Sequence, residues 1–278
     1  MQQARSISTG ALGKFFNEFS EGLRRQSNVV FALIFKDFMA SVTGRNALSL
    51  LWIVVEPAIQ SLTLCAFWYL MRRTQIDGIN VVLFVTVSML VYSIFQSSIS
   101  GIPRALKSNE AFYNYQQVKP IDSIIARFIL EWLLLMTGAA ITMFLIGWYL
   151  DLHISTSQLS QLLGMLLLAT AFGFGTSLAL ATYAALYPFV GNATKMVTRP
   201  LIYVSGVFYA ISDLPTPARV FISWNPIAQI IEYARHYAFG IKLFPEADLN
   251  YAMLSALFMV FLGLTGYFAN RFRLMEKK

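Results

Sequence analysis

Apolar positions in this chain cluster in long runs instead of recurring every second or every third to fourth residue. Residues 50–71 form the first run, interrupted only by Glu56 and Pro57. Residues 79–103 contain no Asp, Glu, Lys or Arg, and residues 128–150 carry Glu131 near their start. A membrane helix needs roughly 20 predominantly apolar residues, so each run is long enough to cross a bilayer. Between 152 and 194 no formally charged residue occurs over 43 positions. That stretch predicts one span over about residues 158–180, with Tyr-Pro-Phe-Val-Gly-Asn at 187–192 supplying the break.

The pattern is less regular after that break. Residues 200–212 make a short apolar piece, and extension back to Met196 lengthens it to a fifth span with Arg199 reaching the headgroups. A further apolar piece at 220–231 is broken by Trp224, Asn225 and Pro226, which favours short helices dipping into the outer leaflet over a complete crossing. Residues 249–270 are a clean sixth span, followed by Arg-Phe-Arg. Ahead of the first span, VVFALIFKDFMA at 29–40 is too short to cross. It reads either as a helix lying along the inner surface or as a less regular membrane-associated segment. The expected fold is therefore all-α: a polytopic membrane protein with six transmembrane helices, an N-terminal interfacial helix, and short outer-leaflet helices between spans five and six. Residues 1–48 form a cytoplasmic segment, 49–270 one membrane domain and 271–278 a cytoplasmic tail.

Composition supports this reading. Hydrophobic residues make up 57% of the 278 positions, and charged residues only 13%, against about a quarter in ordinary soluble domains. Mean hydropathy is +0.59. The net charge of +7 raises nucleic acid or an acidic substrate as partners, but its distribution explains it more simply. With six spans and the amino terminus inside, 16 of the 21 basic residues face inward and five face outward, namely Arg72, Arg73, Arg219, Arg235 and Lys242. That bias is the usual orientation signal of a cytoplasmic-membrane protein and leaves no need for nucleic acid. The first residues lack the order of a cleaved signal peptide, and Cys65 is alone within an apolar run.

Catalytic signatures are missing. The sequence has no GxxxxGK(S/T) loop, no HExxH and no paired CxxC, so neither a metal nor a bound cofactor is expected. Glu56, beside Pro57, is an ionisable group inside a span: a buried acceptor at a helix irregularity, part of conformational coupling, or a group that handles substrate directly. Glu131 follows Arg127 by four residues, the spacing of an ion pair within a helix. Arg235 either attracts an anionic polymer on the outer side or pairs with Glu232.

The stretch NEAFYNYQQVKPIDSIIAR at 109–127 resembles the inner loop of permease subunits from ABC-type capsular polysaccharide exporters, within the ABC-2 type transporter superfamily. Two further features carry the resemblance: Leu51-Trp52 followed by Glu56-Pro57, and Trp224-Asn225-Pro226 followed by Glu232 and Arg235. The resemblance covers almost the whole chain beyond its first 25 or so residues. It implies a homodimeric permease in the bacterial inner membrane, with both termini cytoplasmic. Two cytoplasmic ATPase subunits would bind ATP and Mg and drive it. A periplasmic adaptor and an outer-membrane export protein would continue the route of a lipid-linked polysaccharide. Phe112, Tyr113 and Tyr115 are expected as anchors for the ATPase, with Glu110 and Lys119 at the rim and Arg24 and Arg25 adding to the docking area; the alternative is that these aromatics only anchor the loop at the headgroups. Aromatic planes can pass sugar rings, so Trp52, Trp68, Tyr69, Tyr203, Phe208 and Tyr209 are candidates to line a path. The segment 224–240 is expected as a shield or gate. Another surface glycan, such as an O-antigen or teichoic-acid-like polymer, and a non-conducting assembly scaffold remain open alternatives.

Overall fold

The computed structural model describes residues 2–43, 75–115, 117–150 and 156–276, which are almost wholly helical. Helix α1, Gln2–Thr43, is followed among the described residues by a minimal hairpin, β1 Gln75–Ile76 paired antiparallel with β2 Ile79–Asn80. Asp77 and Gly78 form its turn with φ of 50° and 78°, the positive values that a two-residue type I′ turn requires. Then come α2 Val81–Ser108, a 3-10 turn Glu110–Asn114, α3 Pro120–Leu150 and α4 Thr156–Leu186. The chain continues with α5 Pro188–Val204, a 3-10 turn Ile211–Asp213, α6 Thr216–Ser223, α7 Pro226–Phe239 and α8 Leu249–Glu276.

Four of these helices are long and apolar enough to cross a membrane: Val81–Ile102, Pro120–Thr142, Gln158–Leu186 and Leu249–Leu274. Their burial differs with their role. The α2 window is 72% buried, whereas those of α3 and α8 are only 22% and 28% buried. Helix α2 is the axis of the bundle, with Phe84, Val85, Tyr92, Ile94 and Phe95 in the main core. Phe95 stacks on Phe172 of α4 at 5.4 Å. Outward-facing positions of α3 and α8 are large and apolar, including Phe144, Trp148, Leu257 and Phe261. Water would disfavour so extensive an apolar surface, but hydrocarbon matches it. Several hydroxyls within the helices are satisfied locally: Thr86, Ser88, Ser98 and Thr142 each donate to the carbonyl four residues earlier. The chain is a multi-pass membrane protein.

Helices α4 and α8 pack most closely through glycines. A β-carbon on Gly175 would overlap the backbone of Met259 and Val260, and one on Gly263 would overlap the Gly175 carbonyl. Helix α1 packs along the first half of α3: the Gln26 side-chain amide donates to Asp122 Oδ1 at 3.0 Å, and Val30 and Leu33 cluster with Ala126. The segment expected as an interfacial helix is thus part of the last third of a 42-residue helix partly joined to the bundle.

The first expected span, residues 50–71, lies outside the described residues, together with Trp52, Glu56, Pro57, Trp68 and Tyr69. The fifth expected span begins and ends earlier than its hydrophobicity predicts. Helix α5 starts with Pro188 in its first turn, includes Lys195, Arg199 and Pro200, and stops at Val204. Gly206 has φ of 67°, and the following residues are extended or in short turns. Their backbone groups find tertiary partners, which a hydropathy pattern does not reveal. The expected short helices between the fifth and sixth spans are present as α6 and α7.

Candidate functional site

The predicted site residues that the structure describes gather toward the two ends of α2. Asn109 and Phe84 mark these ends, roughly 37 Å apart at 1.5 Å per helical residue.

At the first end, the loop between α2 and α3 is built on a charged helix start. Pro120 opens α3, and Asp122 reaches back so that the Lys119 backbone N–H donates to its Oδ2 at 2.9 Å. This third-position acid satisfies a donor that the helix start leaves open. Asp122 also accepts from Gln26 and is only 2% exposed. The Ile121 N–H donates to the Tyr267 hydroxyl of α8 at 3.2 Å. One short sequence, KPID, thereby ties the loop to α1 through Asp122 and to α8 through Ile121.

The aromatic loop residues face different surroundings. Tyr113 packs beside the cluster of Ile102, Leu106, Ile124, Leu178, Ala181 and Tyr267, where burial pushes its phenol up to about 12. Phe112 is half-buried beneath the Lys36 ammonium, 4.8 Å from the ring centre. Lys36 also donates to Asn109 Oδ1 and lies 3.4 Å from the Asp37 carboxylate. Tyr115 is 65% exposed, and Glu110 and Lys119 are exposed beside it. Arg24 and Arg25 are exposed on α1, with Arg25 3.6 Å from Glu21. The outward surface of the loop therefore presents Glu110, Tyr115 and Lys119, while Tyr113 anchors it inward. The expected Arg127–Glu131 pair is present at 2.8 Å.

At the second end, α7 holds a buried ion pair. Arg235 lies 3.1 Å from Glu232 and donates to the carbonyls of Gly206 at 3.0 Å and Tyr209 at 3.2 Å. Its guanidinium sits 4.3 Å from the Phe84 ring centre. Those carbonyls belong to the segment that unwinds after α5, so one side chain satisfies backbone that lipid could not. Arg235 is 1% exposed. This corrects the expectation that it attracts a polymer at the outer surface: its charge is spent inside the fold, and the alternative pairing with Glu232 holds. Arg219 is likewise paired, with Glu246 at 2.7 Å. That hydrogen bond holds the Glu246 carboxyl below its ordinary value.

The TrpAsnPro motif has a local explanation. Asn225 caps α7 by accepting from the Ile227 N–H at 3.1 Å, and its amide donates to Ser205 Oγ at 3.1 Å. Pro226 fills the first turn, where its missing N–H costs no hydrogen bond. Trp224 is exposed, and its carbonyl accepts from the Tyr251 hydroxyl at 2.7 Å. Among the path candidates, the Tyr203 and Phe208 rings lie 5.4 Å apart, with Tyr203 exposed and Phe208 half-buried. The Tyr209 hydroxyl donates to the Tyr203 carbonyl at 2.8 Å.

Sequence reasoning missed Gln229, which is 1% exposed. Its amide donates to the carbonyls of Ser223 and Glu246, and its carbonyl accepts from the Asp248 N–H. A polar residue flanked by isoleucines in a short helix was the available signal. It also missed Asp122, whose signal was an acid two positions after the proline that opens a helix. No group of three or more His, Cys, Asp or Glu residues suited to a metal occurs among the described residues.

Long apolar helices joined by a tethered aromatic loop at one end and short broken helices at the other make up a multi-pass membrane protein. Residues 29–239 match the model of the ABC-2 type transporter family, and the chain belongs to that family. It is 27% identical over 247 residues to the polysialic acid transport protein KpsM of Escherichia coli, covering 88% of this chain and 95% of that protein. Similarity to the capsule polysaccharide export inner-membrane protein CtrC of Neisseria meningitidis serogroup A is 24% over 249 residues, covering 88% and 92%. BexB of Haemophilus influenzae, a protein of the same description, is 23% identical over 253 residues, covering 88% and 92%.

Proposed function

We propose that this chain is the membrane permease subunit of an ATP-driven exporter that moves capsular polysaccharide from the cytoplasm across the inner membrane. The observation that carries this reading is near-full-length similarity to KpsM, CtrC and BexB, whose descriptions concern polysialic acid transport or capsule polysaccharide export. ATP hydrolysis belongs to two separate cytoplasmic subunits, which bind ATP and Mg.

Six spans complete the topology: the four long apolar helices, α5, and residues 50–71. The amino end of α2, α6 and α7 then face the periplasm. The loop at 109–119, the break at Tyr187 and the end of α8 face the cytoplasm. The 16 inward basic residues support this orientation. Tyr115, Glu110 and Lys119 form the ATPase-facing surface, and Arg24 and Arg25 extend it. Phe112 and Tyr113 carry loop motion into α1 and the bundle through Lys36 and the Tyr267 cluster. Two copies of the chain enclose the path, with Tyr203 and Phe208 on its wall beside Trp52, Trp68, Tyr69 and Tyr209. Glu56 and Pro57 contribute conformational adjustment. A periplasmic adaptor and an outer-membrane export protein receive the lipid-linked polymer.

The ATPase contact is tested by co-purification. Replacing Tyr115 with alanine should reduce recovery of the partner ATPase and export together, with membrane insertion unchanged. Full recovery and full export in that variant would remove Tyr115 from the coupling surface.

A further inference from the structure

Helix α2 is the most buried of the four long apolar helices, and the surface it leaves uncovered changes character along its length. Between residues 91 and 102 every position that is not buried is serine or glutamine: Ser93, Gln96 and Ser97 are half-buried and Ser100 is exposed. Spacings of three and four residues put them on one side of the helix. The exposed positions of α3 and α8, by contrast, are large and apolar, including Phe144, Leu257 and Phe261. Those faces suit hydrocarbon and this one does not. The Gln96 amide has no hydrogen-bond partner among the described residues, and an amide left unpaired in lipid is costly. The side of α2 that carries it therefore meets water or polar groups.

A contact higher on the same helix shows what lies opposite. The Tyr92 hydroxyl donates to the Thr198 carbonyl of α5 at 2.8 Å. Gln96 is one turn nearer the loop end of α2 on the side of Tyr92, and α5 runs the other way, so Thr194 is one turn nearer that end below Thr198. Thr194 is half-buried and donates to the Val190 carbonyl at 2.8 Å; the Ser97 hydroxyl donates to that of Ile94 at 3.2 Å. Each hydroxyl oxygen keeps lone pairs as acceptors, and the Gln96 amide brings two donors and an acceptor.

We propose that this strip, Gln96 with Ser93, Ser97 and Ser100 on α2 and Thr194 across from them on α5, is a subsite for the hydroxyl groups of a passing sugar chain. The assignment rests on the export function proposed above and adds a polar wall, in the cytoplasmic half of the path, to the aromatic one. The strip is uncharged, so it reads the hydroxyls common to glycans instead of their acidic groups. Single neutral hydrogen bonds also hold each sugar weakly enough for the chain to advance, as conduction requires.

The test uses the full chain with its ATPase in proteoliposomes. In a Cys65→Ser background, Cys65 being the only cysteine, Gln96→Cys should react with a charged methanethiosulfonate reagent, which needs water at the thiol. Leu257→Cys on the lipid face of α8 should stay unreactive. Gln96→Leu should keep the thermal midpoint, ATPase recovery and ATP hydrolysis of the parent but lower export of labelled capsular polysaccharide roughly fivefold, the factor for one neutral hydrogen bond of about 1 kcal/mol. Gln96→Asn, which retains the amide, should export more than Gln96→Leu. A thiol at position 96 as silent as that at 257, full export by Gln96→Leu, or a loss of export that follows a fall in its thermal midpoint would overturn the subsite and leave the export function standing. A parent complex that hydrolyses ATP and moves no glycan would overturn the export function, and the sugar occupant with it, even where the thiol at position 96 reacts.

Discussion

The guanidinium of Arg235 is sandwiched between the Glu232 carboxylate at 3.1 Å and the Phe84 ring, whose centre is 4.3 Å away. Glu232 is 6% exposed. This contact joins α7 to the start of α2 and, through the Gly206 and Tyr209 carbonyls, to the unwound chain after α5. Removing one member of a buried pair leaves the other charge uncompensated, at a cost of about 3–5 kcal/mol. Arg235→Met should therefore destabilise the protein strongly, and the double variant Arg235→Met/Glu232→Gln should recover a large part of the loss. A double-mutant cycle from unfolding in detergent measures this. Strictly additive single effects would show that the two side chains do not act as a unit.

The glycine contact between α4 and α8 predicts a second sensitivity. In an exposed helix, Gly→Ala would stabilise by about 1 kcal/mol. At Gly175 and Gly263 the new methyl instead meets backbone, which cannot rotate away, and overpacking costs typically about 1–3 kcal/mol. Both alanine variants should lower the thermal midpoint despite their better helix propensity, and Gly164→Ala, with open space around it, should not. Calorimetry or dye-based thermal scanning of the three variants checks the order.

Tyr113 and Tyr115 are two residues apart yet have opposite environments. Tyr113→Ala should cost roughly 2–3 kcal/mol, below the value of about 3–5 for deleting a fully buried ring, and should loosen α8 from the loop. Tyr115→Ala should leave the thermal midpoint unchanged and act on ATPase recovery alone. Parallel stability and co-purification measurements separate the two. A Tyr113→Ala variant as stable as the parent would contradict the inward anchor.

The Arg219–Glu246 pair predicts a pH dependence on the α6–α8 side. The Glu246 carboxyl is depressed below its ordinary 4.5, first by the Arg219 hydrogen bond. A depressed acid contributes stability that is fully present above its unfolded value and lost as pH falls through the folded value. The thermal midpoint should therefore fall on acidification below about 4.5, and Glu246→Gln should flatten that part of the profile. An unchanged profile in the variant would show that other carboxylates carry it.

Much of this architecture is readable from the chain because the bilayer imposes a simple rule on composition. The charge-free run at 79–103 and the runs beginning at 128, 158 and 249 all became long helices. The Arg127–Glu131 spacing became an ion pair, and Trp224-Asn225-Pro226 marked a helix start. The rest was hidden where tertiary partners override hydropathy. Helix α5 ends at Val204 although apolar residues continue, because Gly206 turns and Arg235 collects the carbonyls that follow. Residues in the aromatic loop looked equivalent in sequence, yet Lys36 and Tyr267, distant along the chain, divide them into anchored and exposed members. Such contacts have no local periodicity to announce them.

The central claim is that this chain forms a path for polymer and takes its energy from a partner. Proteoliposomes containing the chain and its ATPase, supplied with labelled capsular polysaccharide on the ATPase side, test it most directly. The account predicts movement into the lumen that requires ATP and is reduced by Tyr115→Ala. A folded complex that hydrolyses ATP but moves no glycan would contradict it.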